Sequence, residues 1–487
     1  MNPEPEGKAG RVTDDFDVIV IGAGPTGENV ADYATKGGLN VAIVESELVG
    51  GECSYWACMP SKALLRPPAA LEGAASVDGA EQAVTGGLDV DRVLARRDSF
   101  ASDWNDQGQV DWLKGAGIEL VRGDARLSGE RHVTVTSGSG ERTLTAQQAV
   151  VVATGSVPVV PPIDGLAGVS PWTSREATAA KRAPARLAVV GGGVVGCEMA
   201  AAWAALGSRV TLLAKDPLLL PRMEPFAGEA VREGLVAAGV TVRSDVAVTS
   251  AKRDDFGVTL LTDHGPSVTA DEVLVATGRR PNTSGIGLDT VGLEPGQALN
   301  TDETGRVTGV AGDWLYAAGD VTGRAPLTHM GKYAARACGR AIAARAVGRT
   351  PDSAPWGAEA TTAERSAITQ VVFTRPEVAS VGLTEREARQ LPQPTRTVEY
   401  EIGSIAGAAL FADGYSGRAK LVIDSGRKVV LGAAFTGAEV GELLHAATIA
   451  VVGEVPLDRL WHAVPAYPTI SEIWLRLLEA LLADGAF

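Results

Sequence analysis

The apolar run that opens "FDVIVIGAGPTGENVADYATKGGLNVAIVE", residues 16–45, breaks at a glycine-rich turn. It resumes with helical spacing and closes on a second apolar run that ends in an acid. That pattern predicts strand, turn, helix and strand. "RLAVVGGGVVGCEMAAAWAALGSRVTLLAK", residues 186–215, repeats the plan. Each copy is followed by an apolar strand ending in Ala-Thr-Gly, "VVVATGSVP" in one case and "VLVATGRRP" in the other. Such self-similarity marks a duplicated nucleotide-binding unit and weighs more than either motif alone.

The remaining pattern fills in the organisation. "SVPVVPPIDG" is proline-rich and marks a crossing between units. Beyond residue 281, "DWLYAAGDVTGRAPLTHMGKYAARACGRAI" reads as an apolar strand, a Gly-Asp turn and a helix, and "PDSAPWGAEATTAERS" as a linking loop. In the last part "AITQVVFT" and "AKLVID" predict strands, while "GAEVGELLHAATIAVV" and "SEIWLRLLEALLAD" carry helical spacing. The expected fold class is α/β, with two doubly wound, Rossmann-like nucleotide-binding domains and a C-terminal α+β domain.

Composition narrows the function classes. With 487 residues, 45% hydrophobic and 21% charged, the chain can bury several cores and suits about three domains. The formal net charge of -15 argues against a nucleic-acid surface. It remains compatible with an anionic cofactor, because phosphates are bound locally by backbone amides at helix ends. No apolar run approaches the roughly 18 residues of a membrane span. The polar opening, residues 1–15, is expected to be a disordered tail without a signal-peptide core. Four cysteines are too few for a secretory disulfide framework and point to a reducing, cytoplasmic compartment.

The first fingerprint consists of Gly22, for the tight turn, Gly24, for close approach of a pyrophosphate, and Gly27, for helix packing. Glu45 then stands where a carboxylate accepts hydrogen bonds from an unphosphorylated ribose. In the second fingerprint, Gly191, Gly193 and Gly196, the same offset falls on Ala214, followed by Lys215. The ribose-binding acid is missing and a cation is present, which favours NADPH over NADH.

Cys53 and Cys58 lie in "GGECSYWACMPSK". In a reducing compartment such a pair is more often catalytic or metal-binding than structural. A zinc site would require a second pair or nearby histidines, and none follows, so no metal is expected. Cys197 and Cys338 read as small buried residues.

Taken together, "GAGPTG", "GGECSYWACMPSK", "VVATG", "GGGVVGCE", "VATGRRPN" and "AAGD" resemble the flavoprotein disulfide reductases of the dihydrolipoamide dehydrogenase, glutathione reductase and mercuric reductase type. The likeness runs from residue 16 to about residue 480. It implies an FAD-binding domain over 16–157 and 281–355, an NAD(P)-binding domain over 158–280 and a dimerisation domain over 360–487. It also implies that Cys58 faces the flavin, that Cys53 is the interchange thiol, and that Lys62 lies near the flavin paired with Glu198. By the same resemblance Asp320 holds the FAD ribitol, and Thr154 and Gly155 contact FAD. Gly51 and Gly278, inside matching motifs, join the cofactor-binding positions. The chemistry is intelligible in itself. A five-residue offset near a helix start keeps two sulfurs within reach if the turn is distorted, and the helix N-terminus favours a thiolate.

One departure matters. Dithiol enzymes of this type end in His-Pro-Thr-x-Ser-Glu, the histidine coming from the partner subunit. Here "YPTISE" puts Tyr467 in that place and keeps Glu472. A phenol, with an ordinary pKa of about 10, donates a proton but is a poor base. Mercuric reductases carry tyrosine there, yet they also carry a C-terminal cysteine pair that "LLADGAF" lacks. His445 and His462 are candidates for a displaced base, or plain helix and interface residues. Tyr55 and Trp56 would line a pocket for a flat acceptor such as a quinone, or simply pack. The expected activity is an FAD-dependent, NADPH-preferring (or NADH-using) oxidoreductase. It would pass electrons through a Cys53–Cys58 disulfide to a small-molecule disulfide or other acceptor. The alternatives are a quinone reductase of diaphorase type with little disulfide turnover, and a lipoamide-dehydrogenase-like or non-catalytic FAD-holding subunit of a complex. A homodimer with an active site shared between subunits is expected, with no nucleic acid or membrane partner.

Overall fold

A computed structural model describes residues 14–483 and 485. Residues 1–13 of the expected tail lie outside the described residues. The first strand starts at Asp15, so the last residue read as tail belongs to the sheet. The chain forms two compact units, residues 1–51, 106–156 and 281–361 in one, and 52–105, 157–280 and 362–487 in the other. The segment 52–105, read from sequence with the first nucleotide-binding domain, thus clusters with the second unit.

The first unit is built on a seven-stranded sheet. Its parallel heart runs Glu119–Arg122, Val41–Glu45, Asp15–Ile21 and Gly140–Val152, with Leu315–Ala317 also parallel to the last of these. His132–Ser137 and Asp124–Leu127 extend it as antiparallel strands. Val18, Val20, Ile43 and Val151 face the helices Pro25–Lys36 and Thr328–Ala346, while Ile19, Ile21, Val150 and Val152 fill the opposite face. This two-sided burial explains why these strands read as continuous apolar runs rather than alternating ones.

The second unit holds the repeat of that plan. Strands Thr241–Arg243, Arg209–Leu213, Arg186–Val190 and Glu272–Val275 pair in parallel, and the helix Val194–Ala205 follows the glycine turn. That helix is apolar nearly all round, with Trp203 fully buried, because it packs inside a core that also takes in Leu64, Leu94 and Val378. The C-terminal portion is a five-stranded antiparallel sheet covered by the helices Leu444–Val452 and Ile473–Ala483. No helix among the described residues is long and apolar enough to cross a membrane.

A buried charge cluster ties this sheet to the helix Pro225–Ala237. Lys420 Nζ lies 2.9 Å from Glu224, 2.7 Å from Glu385 and 2.9 Å from Glu399. Burial pulls the ammonium down, but the three carboxylates outweigh it and leave its pKa raised. Glu385 is correspondingly lowered, first by its hydrogen bond to Lys420. Lys420→Met leaves Glu224 buried without its cation and is expected to cost about 3 kcal/mol at neutral pH in urea melts. A lowered carboxylate contributes stability above its unfolded pKa of about 4.3 and loses it as pH falls. The gap between wild type and variant should therefore narrow in acid.

Candidate active site

The two glycine cradles are superimposable in their constraints. Gly22 has φ +98, and a Cβ there would meet Ala153 O at 2.6 Å; one on Gly27 would meet Gly22 O at 1.9 Å. In the second copy Gly191 has φ +122 with Ala276 O at 2.3 Å, and Gly196 faces Gly191 O at 2.0 Å. Ala153 and Ala276 are the alanines of the two Ala-Thr-Gly segments, so each segment closes the back of its own cradle. A Cβ on Gly24 or Gly193, by contrast, would meet nothing within 4 Å. Open space of this kind at a helix start is what a pyrophosphate approaching backbone amides would need.

Glu45 ends its strand beside the first cradle. One carboxylate oxygen accepts from Ala23 N at 2.8 Å and the other from Glu47 N at 2.8 Å, which fixes its direction. Gly51, at φ +56, sits so that a Cβ would lie 2.9 Å from Gly24 Cα. Asp320 accepts a hydrogen bond from Ser156 Oγ at 2.6 Å. Thr154 Oγ1 donates to Asn282 O at 2.7 Å, and Gly155 follows at φ +72. An unobstructed glycine cradle, a braced carboxylate and a second oriented carboxylate in one unit fit a dinucleotide with ribose and ribitol hydroxyls, as FAD has. Glu28, in the first turn of the helix Pro25–Lys36, escaped the sequence reading. Its carboxyl is pushed up to about 7, chiefly by burial, against the pull of Lys332 and with a further push from Glu45.

At the second cradle Ala214 is buried and Lys215 exposed. A Cβ on Gly192 would press on Leu219 and Ala214, so the turn packs closely there. Gly278 has φ +138 with open space in front of it.

The cysteine segment belongs to the second unit. Cys53 lies in the short helix Gly51–Tyr55 and Cys58 opens the helix Cys58–Ala75. Between them Ala57 leaves helical geometry at φ -135, ψ -98. The turn between the cysteines is thus distorted, as a bond between them would need, and Cys58 occupies the positive end of an 18-residue helix. Both thiols are half-buried. Burial pushes the thiols of Cys197 and Cys338 up to about 12, which makes them unreactive. Tyr55 is fully buried, and Trp56 lies under the Arg175 guanidinium at 4.1 Å. Tyr55 therefore packs in the interior, whereas Trp56 stays half-buried.

One turn after Cys58, Lys62 Nζ donates to Glu198 at 2.7 Å. Glu198 is buried, and its other oxygen accepts from Phe373 N at 3.0 Å. Lys62 also lies 4.9 Å from the Phe373 ring centre. The sequence signalled the ion pair by resemblance but carried no sign of Phe373. Tyr467 is 76% exposed, whereas Glu472 is 5% exposed. Glu472 Oε2 has no hydrogen-bond partner among the described residues, and Arg476 stands 4.0 Å from the other oxygen.

A family profile for pyridine nucleotide-disulphide oxidoreductases matches residues 16–340, and the profile of that family's dimerisation domain matches residues 368–477. A dihydrolipoyl dehydrogenase from Chlorobaculum tepidum is 33% identical over 468 residues, 94% of this chain and 95% of its own. A mercuric reductase from Streptomyces lividans is 32% identical over 481 residues, 97% of each chain. Among solved structures, the Cu(II) complex of the HOCl-induced flavoprotein disulfide reductase RclA from Escherichia coli matches with a TM-score of 0.81 over 96% of this chain and 99% of that one. At 23% identity this is a likeness of fold. LpdA from Mycobacterium tuberculosis matches with a TM-score of 0.79 and 25% identity over 95% of this chain and 99% of its own.

Proposed function

The chain belongs to the pyridine nucleotide-disulphide oxidoreductase family, and from that premise we propose that it draws electrons from NADPH through FAD to a Cys53–Cys58 pair that reduces a small-molecule disulfide. Membership makes it an FAD-dependent oxidoreductase fed by a nicotinamide dinucleotide. Bound FAD supplies a two-electron centre that takes hydride from the reduced nicotinamide and passes the electrons on. In the chain itself, Gly22, Gly24, Gly27, Gly51, Glu45, Thr154, Gly155 and Asp320 would hold FAD. Gly191, Gly193, Gly196, Lys215 and Gly278 would hold the nicotinamide dinucleotide.

The observation that carries the proposal is the break at Ala57, which separates the two cysteines and leaves Cys58 at the start of a long helix. Partial positive charge there stabilises a thiolate and so favours dithiol chemistry. The Cys53 thiolate attacks one sulfur of the acceptor. The acceptor's S–S bond breaks, a mixed disulfide forms at Cys53, and the departing thiolate takes a proton. The Cys58 thiolate then attacks Cys53 sulfur, closing the Cys53–Cys58 disulfide and releasing the second acceptor thiolate, which is protonated in turn. The pair gives up two electrons, and the acceptor leaves as two thiols. Lys62 and Glu198 act as a fixed ion pair behind Cys58.

A panel of lipoamide, glutathione disulfide, mycothiol-type disulfides, quinones and mercuric ion, assayed with NADPH and NADH, tests this reading. Turnover of at least one disulfide is expected. Turnover of quinones alone, unchanged in Cys53→Ser, would show a diaphorase instead, as Tyr467 in place of a histidine favours. For the nucleotide, Lys215→Glu is expected to lower kcat/KM for NADPH roughly tenfold to a hundredfold, the loss of one charge-assisted phosphate contact. Activity with NADH should barely change, and equal losses with both would remove Lys215 from that role. The matched dimerisation domain supports a homodimer in which Tyr467 and Glu472 serve the other copy's Cys53. Light scattering that returns the mass of one chain at micromolar concentration would contradict it.

A further inference from the structure

Glu28 stands in the first turn of the helix Pro25–Lys36, and its backbone N–H donates to Gly24 O at 3.0 Å. It is therefore one helical turn beyond the open position of the first cradle. A helical Cα–Cβ bond tilts toward the N-terminus, so the side chain at this position leans back over residues 24 and 25. A Cβ on Gly24 would meet nothing within 4 Å. An acid is thus placed beside the space that a pyrophosphate would need.

Acids are usually favoured at a helix start because unpaired backbone amides donate to them. Glu28 lacks that support: the side chain is half-buried, and its Oε1 is enclosed and meets no hydrogen-bond donor among the described residues. Glu45, by contrast, has both oxygens satisfied by backbone amides. The helix Thr328–Ala346 packs alongside in parallel, with Gly331 against Thr26 and Gly339 against Tyr33. Its first turns carry His329, Lys332 and Tyr333. Lys332 pulls the Glu28 carboxyl down, and Glu45, at the end of the neighbouring strand, pushes it up. The strands beneath present Val20 and Val151, and on its own helix Asp32 is paired with Lys36 at 2.6 Å. Burial outweighs both charges and holds the group up at about 7. The two negative charges of a pyrophosphate would push in the same direction.

We propose that Glu28 is a further FAD-binding residue and acts as a neutral acid: docking of the pyrophosphate at Gly24 is accompanied by uptake of a solvent proton onto the Glu28 carboxylate. This rests on the first cradle being the FAD site. It gives the two acids of that cradle different duties, Glu45 accepting from the ribose and Glu28 removing a charge that would repel the phosphates.

The test dilutes the holoenzyme at a series of pH values and reads the FAD released at equilibrium from its fluorescence. FAD should be held most tightly below pH 7, where Glu28 is already protonated in the free protein. Its Kd should rise roughly fivefold to tenfold between pH 6.5 and 8.5, as expected for a carboxyl that docking raises by about one further unit. Glu28→Gln is neutral at every pH and should abolish this rise. Lys332→Met removes the charge that pulls the carboxyl down and should move the rise to higher pH; it decides the matter if Glu28→Gln does not fold. A merely structural Glu28 would alter Kd by the same factor at every pH. A wild-type Kd independent of pH, a rise that persists unchanged in Glu28→Gln, or a rise that Lys332→Met leaves in place overturns the proposal. Failure of the underlying reading looks different: protein that holds no FAD at any pH removes the FAD site itself, whereas FAD bound with a flat pH dependence removes only the role of Glu28.

Discussion

Cys58→Ser is expected to abolish reduction of disulfide acceptors, by three orders of magnitude or more. The size follows from the loss of a covalent route: without the Cys58 sulfur, the mixed disulfide at Cys53 has no internal thiolate to resolve it. Cys53→Ser should be as damaging, because the acceptor then meets no attacking sulfur. The two losses should not add, since each already removes the whole cycle. Thiol counting gives an independent reading. NADPH should add two countable thiols to the oxidised wild type and none to either serine variant. The buried Cys197 and Cys338 do not interfere under native conditions. A wild type whose thiol count NADPH does not alter would sink the dithiol reading, whatever the acceptor panel shows.

Lys62→Met should have the largest effect on stability at the site. Glu198 is buried and retains only the Phe373 N–H, 3.0 Å away, once the ammonium is gone. A desolvated carboxylate stripped of its cation costs about 2–4 kcal/mol, the lower part of the range for buried pairs because Lys62 is about one-third exposed. At about 1 °C for each kcal/mol in a chain of 487 residues, the melting point should fall by about 2–4 °C. Adding Glu198→Gln to Lys62→Met should recover most of that loss, because the amide needs no counter-charge. A double variant no more stable than Lys62→Met would show that packing of the lysine stem, and not the charge, held the site.

Tyr467, exposed and standing where dithiol enzymes of this type carry a histidine, bears on which acceptor is used. A phenol donates a proton readily enough but is a poor base near neutral pH. Disulfide turnover is therefore expected to be slow relative to a histidine-equipped relative, and to gain from Tyr467→His when the acceptor is a disulfide.

What the sequence determined by itself is whatever local backbone geometry demands. Gly27 and Gly196 sit where a Cβ would strike the carbonyl of Gly22 or Gly191 in the same strand–turn–helix unit, so that part of the fingerprint is written in neighbours along the chain, whereas Gly22 and Gly191 are pressed against Ala153 and Ala276, which a distant strand brings back. The two-sided burial of the parallel strands likewise shows as unbroken apolar runs, and the distortion that a Cys53–Cys58 bond would need at this spacing is met by the broken turn at Ala57. Tertiary structure alone decided which distant side chains meet. Phe373 N reaches Glu198, Arg175 and Arg279 converge on Glu52, and Lys420 gathers three glutamates. Hydrophobic periodicity reports which face of an element is buried but not what lies across from it, and a charge acquires its partner only when packing brings separate segments together.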